Sequence, residues 1–185
     1  MCVTTQTATS IKKVCVTGPE CTGKSDLSQQ LAEFYKTSMI KEYARAYLDQ
    51  LIQPYVQSDL TKIAHGQLRM EDEWMKDEWM KDANRIMICD TNLITIKIWS
   101  EFKFGNCDPE IITTINSRAY DLYLLCNIDV PWENDPQREH PDKREQLWTI
   151  YKNEIIKTGI PFAEISGDRA ARTSIAIAAI NNLVQ

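Results

Sequence analysis

Short apolar runs alternate along this chain with longer stretches of helical spacing. Five runs are β-prone and end in polar or charged residues, at 13–17, 37–43, 85–90, 121–128 and 160–166. Runs of that length, rich in β-branched residues and bounded by turn residues, predict buried strands. Between them apolar residues recur three and four apart, as in Leu27, Leu31 and Phe34, the one-sided pattern of a helix lying on a core. This spacing predicts helices over 25–35, 45–51, 59–84, 93–103, 109–116, 142–157 and from 169 to about 184. Pro54 interrupts the second, Ser58 and Asp59 offer a cap to the third, and Gly105 and Gly159 end two others. Residues 1–11 are polar and Thr-rich, and are expected to fray.

Strands that alternate with helices predict an α/β fold: a central parallel sheet of about five strands, covered by helices on both faces in three layers. Ligands of such sheets lie beyond the carboxyl ends of the strands. Five segments follow strands here, at 18–25, 42–45, 90–92, 129–142 and 167–168, and are expected to meet at one edge.

The first of these segments carries the chemistry. Gly18, Gly23, Lys24 and Ser25 give the spacing G-x-x-x-x-G-K-S between an apolar run and a helical pattern, the context of a phosphate-binding loop. Glycines let the backbone curl so that several N–H groups face one concavity at the positive end of the following helix. Gly18, Pro19, Glu20, Cys21, Thr22, Gly23, Lys24 and Ser25 are therefore expected to hold nucleotide phosphates. Lys24 would reach the β- and γ-phosphates and the Ser25 hydroxyl would ligate Mg²⁺. Asp168, in the turn after the last strand, is expected near the nucleotide.

Composition narrows the picture. The 185 residues fit one domain, and a net charge of −5 argues against a general nucleic-acid binder. No apolar run is long enough for a membrane helix, and the first residues lack the pattern of a secretory signal. Cys15, Cys89 and Cys126 lie inside apolar strands, with no C-x-x-C pair in the chain. They read as reduced, buried thiols, which makes a cytoplasmic protein the expectation. The segment DEWMK occurs twice in tandem at 72–81. A five-residue step turns about 140° round a helix, so Trp74 and Trp79 cannot share the centre of one face. A solvated, salt-bridged helix and a partner or homo-oligomer surface both remain open.

Phosphate-binding loops serve switches, assembly ATPases and small-molecule kinases. The fourth strand ends Asn-Ile-Asp-Val, not N-K-x-D, and Asp90-Thr91-Asn92-Leu93 is not D-x-x-G, so a GTPase is excluded. Asp90 stands without the second acid of a mechanical ATPase. A kinase needs an acid near the acceptor hydroxyl, cations over the transferred phosphoryl and exclusion of water. Asp90 and Glu42 are candidate acids. The Pro-rich 129–142 segment with Arg138, Lys143 and Arg144 forms a candidate lid, mobile by function, whose arginines would meet charge as it develops. A nucleotide-dependent regulatory or assembly module remains the rival class.

GPECTGKS at 18–25, Glu42-Tyr43-Ala44-Arg45, LTKIAHGQ at 60–67, ICDTN around Asp90, DLYLLCNIDVPW at 121–132 and DKRE at 142–145 together resemble the ribosylnicotinamide kinase domain of NadR-type bacterial proteins. The resemblance runs in order from Lys12 to Ser166. It implies a P-loop fold of nucleoside-kinase type with a mobile lid, binding ATP and a small nucleoside-like acceptor. It also implies phosphorylation of the 5′-hydroxyl of nicotinamide riboside, in NAD biosynthesis or salvage. Lys24, Asp90, Arg138 and Arg144 would then be catalytic, with Ser25 and Asp90 at Mg²⁺ and Glu42, Tyr43, Arg45 and Trp132 at the acceptor. The aromatic and acidic members of that set suit a pyridinium cation. The H-x-G-H signature of an adenylyltransferase part has no counterpart here. The 129–142 segment is shorter and richer in proline than the family pattern, so a kinase for another nucleoside or metabolite stays in view.

Overall fold

The computed structural model describes residues 11–76 and 86–184. The Thr-rich start, the second DEWMK copy with Trp79 and the expected helix beyond Lys76 lie outside them. Five strands, β1 (Lys12–Thr17), β2 (Met39–Ile40), β3 (Ile86–Asp90), β4 (Leu122–Cys126) and β5 (Phe162–Ile165), form one parallel sheet in the order β2-β3-β1-β4-β5. Every residue of β3 and β4 is buried. Covered on both faces, these strands read as continuous apolar runs with no alternation. The chain winds to one side of β1 through β2 and β3 and to the other through β4 and β5. Connections therefore diverge from the carboxyl edge of β1 and leave a crevice there.

One face of the sheet, with Val14, Val16, Ile88 and Leu124, is covered by α1 (Lys24–Phe34) and α7 (Arg169–Val184). The other, with Cys15, Met87, Cys89 and Leu125, is covered by α4 (Leu93–Phe104) and α6 (Arg144–Thr158). A smaller core joins α2 (Tyr43–Leu48), α3 (Gln57–Lys76), α4 and α5 (Pro109–Ser117) through Ala44, Ile63, Leu93 and Ile111. Trp74 packs against the core beside the sheet and donates its Nε1–H to Ser38 Oγ at 3.0 Å. Among the described residues no helix is long and apolar enough to cross a membrane.

The second strand departs most from expectation, with two residues in place of seven. Tyr43 opens α2 because its ring lies on α3 at a glycine: a Cβ on Gly66 would come within 2.1 Å of Tyr43 Cε1. Its backbone N–H is taken by the buried Gln67 Oε1 at 2.9 Å. Those two contacts turn the chain into a helix two residues early. Cys15, Cys89 and Cys126 are buried and unbridged. Burial pushes all three thiols up, Cys126 to about 11, so they pack as neutral groups.

Asp59 fixes the start of α3. It does so from inside the first turn, reaching back to Val56 N–H at 2.9 Å while accepting from Tyr47 Oη at 2.8 Å and Lys62 Nζ at 2.9 Å. The Val56 bond first, then Lys62 and Tyr47, hold its carboxyl down to about 2. Asp59→Asn is expected to lower stability at pH 7 by about 1 kcal/mol, the difference between hydrogen bonds to a charged and to a neutral acceptor. A depressed carboxylate supplies stability above its unfolded value of 3.8 and loses it as pH falls through its folded value. Urea midpoints of native and variant protein should therefore converge between pH 4 and 2. A gap that persists at pH 2 would assign the effect to packing.

Candidate active site

The loop after β1 is built by close approach. Gly18 has φ 138°, and a Cβ there would meet the Cys126 carbonyl at 2.8 Å, so the chain crosses β4 where only glycine fits. Gly23, at φ 74°, ends the loop and starts α1. Within the loop Thr22 Oγ1 and Lys24 Nζ both donate to Pro19 O, at 2.8 and 2.7 Å. From outside, Arg172 of α7 donates to Thr22 O and pairs with Asp129 Oδ1, both at 2.5 Å. Asp129 Oδ2 accepts Gly167 N–H at 2.6 Å. One buried arginine and one carboxylate thus tie the phosphate loop to the turns after β4 and β5. Arg172 is missed by pattern reading because it is one of two arginines in the first turn of an Ala-rich helix, and spacing does not say which of them turns inward. Its burial is tolerable because it is fully paired.

The 129–142 segment lies closed over this loop. Glu20 accepts the N–H groups of Glu139 and His140 at 2.8 and 2.7 Å. Cys21 Sγ receives Glu133 N–H at 3.1 Å and Arg138 Nη1 at 3.3 Å. Arg144 donates to Cys21 O at 2.8 Å and Val130 O at 2.9 Å. Arg45 Nη1 holds Asp135 at 2.6 Å, and Gln137 reaches Asp49 at 2.6 Å.

Loop and segment enclose a cavity of about 320 Å³. Lys24 and Ser25 of the loop line it together with Glu42 and Arg45, and Arg138 and His140 line it from the segment that roofs it. Its apolar lining comes from Ile98, Trp99 and Phe102 of α4 with Tyr151 of α6. His140 stands edge-on to Phe102 with ring centroids 4.9 Å apart. His65, away from the cavity, is exposed and pairs with Glu110 at 2.9 Å.

Other expected site residues fall outside the cavity. Tyr43 is spent on Gly66, as above. Trp132 lies outside the roof with Arg144 at 5.9 Å from its ring and Asn134 accepting from its Nε1–H. Asp168 caps α7 by accepting Ala171 N–H at 2.9 Å. Arg144 braces the segment instead of pointing inward, and Lys143 is exposed.

Two carboxylates frame the chemistry. Desolvation pushes the Glu42 carboxyl up, with Lys24 and Arg45 pulling it back. Desolvation also raises Asp90, which is 2% exposed, against a Ser25 hydrogen bond and the Lys24 charge. Asp90 Oδ1 is buried with no hydrogen-bond partner among the described residues. A buried anionic oxygen beside a loop hydroxyl is the donor set a magnesium ion would complete, so the residues present fit that ion. Thr91, just after it, has φ 70°, strained for a β-branched residue. It is held by its N–H on Val16 O and by the Asn92 cap on Ile94. Such strain persists only where surroundings enforce it.

Sheet order, loop and cavity together define a P-loop nucleotide-binding fold of the nucleoside-kinase type. A family model described as an AAA domain matches residues 13–172, and the chain belongs to that family. It is 29% identical over 134 residues to the trifunctional NAD biosynthesis/regulator protein NadR of Escherichia coli (strain K12), a match covering 69% of this chain and 31% of that protein. The NadR of Salmonella typhimurium gives the same figures. The chain thus spans about a third of the length of these curated relatives. Among solved structures, NadR in complex with NR superposes with a TM-score of 0.78 at 19% identity, covering 94% of this chain and 50% of that one. Thymidylate kinase from Ehrlichia chaffeensis gives 0.63 at 15% identity, covering 96% and 100%.

Proposed function

We propose that this chain is an ATP-dependent kinase that phosphorylates the 5′-hydroxyl of nicotinamide riboside. The observation that carries the reading is one cavity lined by Lys24 and Ser25 of the phosphate loop, by the carboxylate of Glu42 and by the aromatic rings of Trp99, Phe102 and Tyr151. A pyridinium cation favours aromatic faces and a nearby carboxylate. Trp99, Phe102 and Tyr151 supply the faces and Glu42 the charge. The NadR relatives and the NR-bound structural neighbour support the same acceptor.

In this mechanism the loop N–H groups and Lys24 hold the β- and γ-phosphates of ATP. Glu42 lines the cavity and Asp90 does not. Glu42 is therefore the carboxylate placed to orient the acceptor hydroxyl and take its proton, and its desolvation favours a proton acceptor of raised basicity. Ser25 and Asp90 would hold Mg²⁺, which supplies positive charge to the phosphoryl oxygens when bound. Arg138, in the roof, stabilises charge spread over the transferring group, and closure of the 129–142 segment excludes water.

The test is ADP release from Mg-ATP with and without nicotinamide riboside, with product mass as the second readout. Acceptor-dependent ADP and a product heavier by one phosphoryl group are expected. ADP release that ignores this acceptor but answers to another nucleoside would keep the kinase and change its substrate. Slow hydrolysis indifferent to every acceptor would establish the nucleotide switch instead.

A further inference from the structure

Glu139 makes two sets of contacts that point in opposite directions. Its backbone N–H is fixed to Glu20 of the phosphate loop at 2.8 Å. Its carboxylate accepts from Tyr55 Oη and Lys103 Nζ, each at 2.8 Å. Tyr55 lies in the connection between α2 and α3, and Lys103 on α4. The Tyr55 hydroxyl also accepts the indole N–H of Trp99 at 2.5 Å, with the rings edge to face at 4.8 Å. Lys103 Nζ stands 3.7 Å from the centre of the Tyr55 ring. Trp99 lines the cavity with Ile98, Phe102 and Tyr151.

The donor inventory fixes the direction of this chain. Indole N–H donates only, and a carboxylate accepts only. Tyr55, with one proton and free lone pairs, must therefore accept from Trp99 and donate to Glu139. Burial, reinforced by Glu139, pushes the Tyr55 hydroxyl up and keeps that proton in place. Burial works against the Glu139 charge, but the Lys103 and Tyr55 bonds outweigh it and hold the carboxyl below the ordinary glutamate value. The Lys103 pair is about one-third exposed on each side, so as an ion pair it contributes little. Its value is geometric, because it and Tyr55 between them occupy both oxygens of one carboxylate.

We infer that Tyr55 and Glu139 are positioning residues that link filling of the cavity beside Trp99 to closure of the 129–142 segment over the phosphate loop. An acceptor seated against Trp99 fixes the indole with its N–H on Tyr55, and Tyr55 then holds the residue whose backbone is latched to Glu20. Nucleotide and acceptor should consequently strengthen each other's binding, as reciprocal coupling requires. The inference rests on the kinase reading for the identity of the acceptor, but not for the latch itself.

Tyr55→Phe and Glu139→Gln, made in the full chain, test it by two readouts. The first needs no ligand: hydrogen exchange at the Glu139 and His140 amides, with β3 amides as the control for global unfolding. Both variants should speed those two amides by about tenfold, the loss of one hydrogen bond to a charged group, and leave β3 unchanged. The second is the affinity for a non-hydrolysable ATP analogue with and without nicotinamide riboside. The native ratio should exceed roughly fivefold and fall to about one in either variant, with affinity for the analogue alone kept. Coupling and amide protection that survive both substitutions would overturn the latch and leave the acceptor assignment standing. If nicotinamide riboside leaves the native chain unaffected while Tyr55→Phe still frees the two amides, the acceptor assignment fails and the latch is upheld.

Discussion

Lys24→Ala is expected to abolish phosphoryl transfer while the protein still folds. The side chain is half-buried and donates to Pro19 O at 2.7 Å, inside its own loop. Among the described residues it belongs to none of the three cores. Removing a pre-organised charge that meets developing negative charge costs about 3 kcal/mol or more in the transition state, at least a hundredfold in rate. The melting temperature should change little, because a partly exposed lysine contributes little to the fold. The substitution also removes a cation that holds down both Glu42 and Asp90, so both carboxyls should rise further. Initial rates of acceptor-dependent ADP formation, with a thermal melt on the same samples, decide it. Activity within tenfold of native would refute the phosphate-loop assignment.

The parts of this site that repeat a backbone pattern were legible in the chain, and the parts that depend on one helix's orientation were not. G-x-x-x-x-G-K-S between a strand and a helix located the loop, and strand–helix alternation located the sheet edge. The aromatic lining of the cavity escaped because α4, LITIKIWSEFKF, is apolar on nearly every side. Periodicity cannot say which of its residues face a cavity and which a core. Trp99 and Phe102 are set by the roll of α4 between the sheet, α3 and α6. Tyr43 misled for the opposite reason. Its place after a strand suggested a ligand-facing residue, but Gly66, twenty-three positions on, opens a slot on α3 that its ring fills. Trp132 lies in the segment that closes over the loop but is not among the residues lining the cavity. Arg172 and Asp129 form a clamp across three connections, and no local spacing announces such a pair.

Asp90→Asn should separate catalysis from stability in the same molecule. Asparagine nearly matches aspartate in shape, so the tight surroundings of Asp90 at the end of β3 keep their packing and only the charge is lost. The native carboxyl is raised by desolvation despite its Ser25 bond and the Lys24 charge, and one of its oxygens has no hydrogen-bond partner among the described residues. An acid whose folded value is raised binds its proton more readily in the folded state, so it withdraws stability as pH climbs through that value. The variant has no such cost. Without nucleotide it should melt no lower than the native protein at pH 7, and the native protein should gain on it as pH falls. The rate should move the other way. If Asp90 completes a magnesium site whose charge acts chiefly on the transferring phosphoryl, kcat falls by about a hundredfold or more while ATP affinity shifts far less. Equal losses in kcat and ATP affinity would confine Asp90 to holding the metal–nucleotide complex. An undiminished rate, with the melt unchanged at every pH, would remove it from the site altogether.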